Sequence, residues 1–184
     1  MRPPLPAFPA AHADHPHAPA ELLRLGIRLR PVVAADLPFL RVLYRETRAA
    51  ELAPVPWPPA AKQAFLDDQF DLQHRHYLAY FGAADFLLVE RNGQPVGRLY
   101  LLRESPDYRV VDIALLVAAQ RQGLASALLA DIQRQASARG CGVALHVDRH
   151  NPDARRLYQR PGFAVTDADG GRHLPMRWSG AAIS

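Results

Sequence analysis

The order of its predicted elements gives this chain an α/β (α+β) fold, with a mixed central sheet of about six to seven strands flanked by about four helices. Two buried apolar runs, within residues 110–130 and 143–163, each turn directly into a helix. The third observation is Asn92-Gly93, which lies between two strand-like segments and is the strongest short hairpin signal. Together they predict a hairpin before the central strand and helices after it.

The first half of the chain is predicted to hold one edge strand and two helices. Ile27 and Leu29 alternate with arginines, as in a strand at the edge of a sheet, and Asp36 then caps a helix. Four prolines within residues 52–59 exclude a helix there. A second helix is expected over about residues 60–81.

The second half is predicted to supply the rest of the sheet. Strands at about residues 86–90 and 95–102 form the hairpin around its Asn92-Gly93 turn, and the two strand-to-helix junctions follow. A final strand pair is expected at residues 165–167 and 173–178, joined through residues 169–171. The full order is strand, two helices, three strands, helix, strand, helix and two strands.

Length and composition are those of one globular domain, because the chain has 184 residues and 49% of them are hydrophobic. Residues 1–22 are rich in Pro, His and Ala and are predicted to form a disordered leader, which leaves a single domain over residues 23–184. The formal net charge of +4 comes from scattered arginines and one lysine, Lys62. No nucleic-acid-binding surface is therefore expected.

The same composition argues against several other classes of protein. Cys141 is the only cysteine, so no intrachain disulfide forms and nothing indicates an oxidising compartment. With no apolar stretch of membrane-spanning length and no secretory signal, a cytoplasmic protein without a membrane partner is expected. No metal site is expected either, because His12, His15 and His17 lie on the flexible leader.

The junction within residues 110–130 predicts an anion site. A strand that turns into a helix leaves the first N–H groups of the helix unpaired, with the positive end of the helix dipole behind them. Gly123 and Ala125 let a bulky group approach the main chain, and Arg121 adds a positive charge. The spacing matches neither a P-loop nor the dinucleotide fingerprint. The predicted ligand is a pyrophosphate.

Two motifs resemble those of a known family. The hexapeptide from Gln120 to Ala125 resembles the Gln/Arg-x-x-Gly-x-Gly/Ala signature of the GNAT superfamily, the acyl-CoA N-acyltransferases. Residues 151–163 read Asn-x-x-Ala-x-x-Leu-Tyr-x-x-x-Gly-Phe and resemble the closing motif of that superfamily, at the expected distance after the first. The resemblance covers about residues 27–178, and the predicted order of elements is the order of the superfamily.

The resemblance implies an N-acetyltransferase that uses acetyl-CoA (coenzyme A) and a primary amine of a small molecule or peptide. It implies direct attack in a ternary complex, with the pantetheine arm between splayed central strands and the pyrophosphate at the helix start. The residues expected to bind the cofactor are Leu115, Leu116, Val117, Gln120, Arg121, Gln122, Gly123, Leu124, Ala125, Ser126, Asn151 and Arg155. Among them, the Leu116 N–H is expected to polarise the thioester carbonyl.

Tyr158 and Asp112 are the expected catalytic residues. The resemblance makes the Tyr158 hydroxyl the general acid for the coenzyme sulfur, and the alternative is a buried aromatic residue of the core. Asp112 is the candidate general base, although Arg98 or Arg109 could equally hold its carboxylate in an ion pair.

Other features leave the proton chemistry open. His146 and Asp148 share a strand face and are rival bases, and an acceptor amine that is already neutral needs no base at all. Pro161 stands where the superfamily usually has Leu. It is expected to bias Arg160 towards an extended conformation and so to shift the end of the helix that carries Tyr158.

The acceptor is the part of the function that the sequence defines least. In the superfamily the region between the first two helices commonly walls the acceptor pocket, and here it supplies Trp57, Gln69, Tyr77 and Tyr80. The alternative is that most of the aromatic residues of this region belong to the core. Nearby acids suggest a cationic amine, or equally an ordinary solvated face. An alternative function is a catalytically inactive acyl-CoA-binding sensor or interaction protein. Homodimers are common in the superfamily, but no feature of the sequence supports one.

Overall fold

The structure is a computed structural model and describes residues 4–167 and 171–180. The α-helices of that part are α1 (Ala20–Arg24), α2 (Leu37–Leu52), α3 (Pro59–Tyr80), α4 (Leu124–Ala138) and α5 (Pro152–Gln159). The strands are β1 (Ile27–Pro31), β2 (Asp85–Arg91), β3 (Gln94–Arg103), β4 (Asp107–Leu115), β5 (Gly142–Asp148), β6 (Ala164–Val165) and β7 (His173–Trp178). The predicted connection at residues 169–171 lies mostly outside the described residues.

All seven strands form one mixed sheet in the order β1-β2-β3-β4-β5-β7-β6. β4 and β5 run parallel, and the other neighbouring pairs of the described sheet are antiparallel. The predicted mixed sheet is confirmed. In the described part of the chain, the one α-helix beyond those predicted is α1, which begins inside the predicted disordered leader and ends two residues after it.

β4 and β5 separate after a short stretch of pairing. Residues 107–110 pair with residues 142–145, whereas residues 111–115 of β4 and 146–148 of β5 continue without pairing to each other. Because the strands are parallel, both unpaired ends lie at the same edge of the sheet, and each leads towards a helix, α4 or α5. We refer to this opening as the β4–β5 gap.

Two hydrophobic layers cover opposite faces of the sheet. One packs α1, α4 and α5 against it, and the other packs α2 and α3 against the opposite face. A β-bulge at Val111 places Val110 in the first layer and Asp112, opposite Tyr100, on the side of α2 and α3. Asp112 therefore lies on the opposite face from Leu115.

The segment before α1 packs against α3 and the neighbouring strand β2. The Phe8 ring meets the His74 ring edge-on, with centroids 4.8 Å apart, and His74 Nε2 hydrogen-bonds the Pro6 carbonyl at 2.8 Å. Pro6 and Phe8 therefore have defined contacts, whereas the composition predicts that this segment is disordered. The physical reason is that a few large apolar side chains among the prolines find partners on α3, and composition does not reveal those partners.

Candidate active site

Every second residue of β4 directs its backbone N–H and C=O towards the β4–β5 gap. The Leu116 N–H donates to the Val96 carbonyl at 2.9 Å, on the β3 side. Because the in-plane direction of the peptide groups alternates along a strand, the N–H and C=O of Leu115 point the other way, into the gap. The Leu115 carbonyl accepts there from Gln120 Nε2 at 2.9 Å. The expectation that the Leu116 N–H polarises a thioester is therefore wrong, since that donor is already used.

The next backbone N–H after that of Leu115 that does not face β3 belongs to Val117. Its N–H donates to Oε1 of Glu46 at 2.5 Å, which joins α2 to the end of β4. Val117 is itself well exposed and begins the short 3₁₀ turn that leads away from the strand. The sequence alone places Glu46 only generally, among several acids near the acceptor region.

The loop between β4 and α4 adopts left-handed backbone conformations at two positions. Arg121 has a φ of 58° and Gly123 a φ of 79°. A Cβ on Gly123 would meet no atom within 4 Å, so glycine is favoured here by the backbone conformation and not by lack of space. The same open space leaves the main chain of the loop accessible to a large ligand.

The start of α4 carries unpaired N–H groups. The first bond of the helix runs from the Ala127 N–H to the Gly123 carbonyl at 2.9 Å. The N–H groups of Leu124, Ala125 and Ser126 precede that bond and donate to no group in the part of the chain that the structure describes. They lie at the positive end of a 15-residue helix, which favours a bound anion.

The polar side chains of the loop divide into two kinds. Gln122 folds back and donates from Nε2 to the Ala118 carbonyl at 2.6 Å, so it stabilises the loop itself. The Arg121 side chain is 90% exposed, and its guanidinium lies 3.7 Å from the Asp153 carboxylate of α5. Arg155 of α5 is exposed as well. Both arginines are therefore able to meet an anionic group at the start of α4.

Helix α5 holds Tyr158 in the core. The helix begins after Asn151, which is its N-cap, because its Oδ1 accepts from the Ala154 N–H at 3.0 Å. Tyr158 is 8% exposed and packs in the layer that contains Leu115. Burial raises the pKa of the Tyr158 hydroxyl, and the negative charge of Asp112 raises it further. The hydroxyl is therefore a proton donor at neutral pH.

Pro161 does not distort the helix in the way that the sequence suggests. Arg160 keeps a helical conformation, with φ −57° and ψ −47°, so the expected extended conformation is wrong. The Pro161 carbonyl accepts from Gln133 Nε2 at 3.0 Å, and the chain turns at Gly162, where φ is 96°. The turn after Pro161 thus leaves the last turn of α5 regular.

A buried polar cluster lies beneath α3 on the other face of β4. Arg98 Nη2 donates to Asp112 Oδ2 at 2.6 Å and lies equally close to Gln73 Oε1. The Tyr77 hydroxyl donates to the same Asp112 oxygen at 2.9 Å. Arg98 is 4% exposed, and its Nε has no hydrogen-bond partner among the described residues. The structure therefore contains the Arg98 ion pair that the sequence left as an alternative for Asp112.

The surroundings of this cluster affect its tyrosines. Burial raises the pKa of Tyr77, and the Asp112 charge adds to the effect. Burial likewise raises the pKa of Tyr100 to about 12, against the opposing effect of the Arg98 charge. Sequence reasoning missed Gln73. Its spacing of four residues before Tyr77 on one helix was the signal that could have found it.

The other predicted acceptor residues lie further from this cluster. Trp57 packs against the Phe65 ring, with centroids 5.5 Å apart, and Tyr80 is 74% exposed beside His76. Gln69 lies half-buried on α3, two turns before Tyr77. Of the four, only Tyr77 contacts Asp112 within the described chain.

The rival bases have different surroundings. Asp148 accepts from Arg172 Nε at 3.0 Å and from the His150 N–H at 2.9 Å, so its carboxylate is already engaged. His146 lies exposed on β5, and partial loss of hydration together with the nearby Arg109 charge lowers the pKa of its ring.

Comparison with known proteins identifies the family of this chain. Residues 43–163 match the Acetyltransferase (GNAT) family. A mycothiol acetyltransferase from Brachybacterium faecium is 29% identical over an alignment of 157 positions, which covers 76% of this chain and 46% of that protein. The chain thus spans less than half the length of the curated relative that it matches.

Solved structures share the fold. The PaiA N-acetyltransferase of Thermoplasma acidophilum, in complex with coenzyme A, has a TM-score of 0.63 at 18% identity, covering 83% of this chain and 98% of that one. An acetyltransferase from Thermus thermophilus has a TM-score of 0.61 at 21% identity, covering 83% and 96%.

The fold is that of the GNAT acetyltransferases. Since the family match spans well over half of the sequence, the chain belongs to the Acetyltransferase (GNAT) family, and the resemblance noted from its motifs is confirmed. The family match supports the expectation that acetyl-CoA is the acyl donor. None of the described helices has the length and apolar character needed to cross a bilayer. Residues 4–167 and 171–180 contain no group of three or more side chains placed to hold a metal ion.

Proposed function

We propose that the protein is an N-acetyltransferase that moves an acetyl group from acetyl-CoA to a primary amine of a small molecule or peptide. The observation that carries the proposal is the position of Tyr158. It lies buried on the helix that follows β5 and packs in the same hydrophobic layer as Leu115 at the end of β4. A proton donor thus lies beside the strands that form the β4–β5 gap.

The residues of the gap fit the cofactor. The N–H of Leu115 points into the gap and would pair with an amide carbonyl of the pantetheine arm. The unpaired N–H groups at the start of α4, with the exposed Arg121 and Arg155, would hold the diphosphate. Gly123 leaves the space that this approach requires. When bound, acetyl-CoA supplies the acetyl group as an activated thioester.

Direct transfer to the amine is the route that the placement of the thiol favours. Cys141, the one cysteine of the sequence, lies buried just before β5, and its Sγ lies 3.6 Å from the Arg139 carbonyl. It is therefore at the end of β5 remote from the β4–β5 gap. An acyl-cysteine intermediate would need a thiol in that gap.

Tyr158 is proposed as the general acid. Its hydroxyl holds its proton at neutral pH because burial and the Asp112 charge both oppose ionisation. The hydroxyl is thus suited to donate a hydrogen bond, and then the proton, to the sulfur that leaves.

Asp112 is proposed as the general base. Its Oδ2 accepts from both Arg98 and Tyr77, whereas Oδ1 has no partner in the described chain and is left to take a proton from the amine, directly or through water. Tyr77 is proposed to contact the acceptor, and Trp57, Gln69 and Tyr80 remain candidates for its outer contacts.

The test measures thiol release from acetyl-CoA with a panel of primary amines and peptides, with coenzyme A binding measured separately by calorimetry. Wild type is compared with Tyr158→Phe, which removes only the hydroxyl. Tyr108→Phe is the matched control, because Tyr108 is buried in the same layer but lies at the opposite end of β4. We expect Tyr158→Phe to bind coenzyme A normally and to turn over at least about tenfold more slowly.

Two results would contradict the proposal. If coenzyme A binds and no amine drives turnover, the protein is a binding or sensing member of the family. If Tyr158→Phe and Tyr108→Phe have equal rates, Tyr158 is a core residue and the acid is another group.

A further inference from the structure

Glu46 places a carboxylate at the mouth of the β4–β5 gap. It lies half-buried on α2, and its Oε1 accepts the Val117 N–H at 2.5 Å, directly after the last residue of β4. Its other oxygen, Oε2, has no hydrogen-bond partner among the described residues. The bond to Val117 therefore orients the carboxylate and leaves one oxygen for a ligand.

The charge of Glu46 is not balanced in the way that neighbouring acids are. On the same face of the sheet, ion pairs join Arg41 to Asp71, Arg45 to Asp67, Arg48 to Glu51, and Arg98 to Asp112. Glu46 makes no ion pair with any Lys, Arg or His of residues 4–167 and 171–180. A partly buried carboxylate without a countercharge attracts a cation from solution.

We propose that Glu46 binds a positively charged group of the acceptor, so that the enzyme prefers amines that carry a second positive charge. This inference rests on the proposed function above. The amine that attacks must be neutral, because its lone pair forms the new bond, so the cation at Glu46 is a separate group. Val117 lies two residues beyond Leu115, the last residue of β4, so the two are at most about 7 Å apart along the chain. That spacing suits a second amino group on a short aliphatic chain.

The substitution Glu46→Gln separates the charge from the structural role. A glutamine Oε1 still accepts the Val117 N–H, so the contact between α2 and β4 is kept and only the negative charge is lost. Glu46→Ala removes both. Glu104→Gln is the matched control, since Glu104 is exposed in the turn between β3 and β4, at the end of β4 remote from Val117.

The experiment compares putrescine with n-butylamine, which have the same carbon chain and differ in the second amino group. Steady-state rates are measured at saturating acetyl-CoA, and calorimetry measures the binding of each amine to protein loaded with coenzyme A. In Glu46→Gln we expect the KM and Kd of putrescine to rise about tenfold, the effect of one charge-assisted hydrogen bond. The values for n-butylamine, and kcat for both amines, stay within about twofold of wild type.

Several outcomes would overturn the inference. These are equal behaviour of Glu46→Gln and Glu104→Gln, an equal loss with both amines, or a fall in kcat with KM unchanged. An effect in Glu46→Ala that is absent in Glu46→Gln assigns Glu46 a structural role only. If wild type binds putrescine but acetylates neither amine, and Glu46→Gln weakens that binding, the inference stands and the proposed function fails. If wild type binds no putrescine, the inference fails whatever the turnover.

Discussion

Replacing Asp112 by Asn tests the buried cluster beneath α3. The change keeps the shape of the side chain and removes the negative charge that faces Arg98 at 2.6 Å. Arg98, which is 4% exposed, would then face only neutral acceptors, the Gln73 oxygen and the amide oxygen at position 112. A buried cation without its countercharge is costly because it loses hydration and gains no ion pair.

The expected loss of stability in Asp112→Asn follows from the burial of both side chains of the ion pair. The side chains of Arg98 and Asp112 are 5% and 14% exposed, so solvent screens the pair weakly. Breaking such a pair by removing one partner costs about 3–5 kcal/mol. In a chain of this length that loss lowers Tm by about 10 °C. The exposed pair between Arg48 and Glu51 is the control, and Glu51→Gln should cost less than about 1 kcal/mol.

The assay is urea unfolding of wild type, Asp112→Asn, Arg98→Met and the double variant. Each single variant leaves one buried polar group without its partner, so the double variant should be less destabilised than the sum of the two, with a coupling of about 2 kcal/mol. The reasoning is refuted if Asp112→Asn unfolds within about 1 kcal/mol of wild type, or if the two changes are simply additive. In either case the ion pair does not stabilise the cluster.

Two further predictions concern the loop before α4 and the packed leader. Gly123→Ala and Gly93→Ala place a side chain at nearly the same positive φ, 79° and 78°, with no atom within 4 Å of either new Cβ, so each should cost about 1 kcal/mol of stability. Calorimetry should show weaker coenzyme A binding in Gly123→Ala than in Gly93→Ala, and equal binding in the two variants would contradict the diphosphate site. Burial lowers the pKa of His74 below its ordinary value of 6.5, so the unfolded chain takes up a proton at higher pH than the folded protein does. The stability that neutral His74 contributes is therefore complete above the ordinary pKa of 6.5 and is lost as the pH falls below that value. Thermal unfolding at pH 7.5 and 5.5 should show a smaller acid loss in His74→Gln than in wild type, and an equal loss would disprove the role of His74.

Much of the fold was predictable because its signals are local. Asn92 and Gly93 both have positive φ in the structure, as their hairpin requires, and Asn151 caps α5 through its own side chain. The two strand-to-helix junctions also lie where the apolar runs predict them. In each case the conformation depends on residues that are near one another in the sequence.

The direction of the β4 peptide groups could not be predicted in the same way. Apolar alternation indicates which face a side chain takes, but it does not show which edge of the strand faces β3 and which faces the gap. The register decides this, and it directs the Leu116 N–H to Val96 and the Leu115 N–H to the gap. The bulge at Val111 adds a further change of face that no pattern in β4 indicates.

The sequence by itself determined the order of the main elements, the unpaired N–H groups at the start of α4 and the helix that carries Tyr158, because short-range sterics specify them. Only the tertiary structure decided that Gln73 and Tyr77 join Arg98 at Asp112, and that Glu46 reaches Val117. These contacts join residues between 14 and 71 positions apart. They depend on how α2 and α3 pack across the sheet, which is set by the whole core and not by any segment of it.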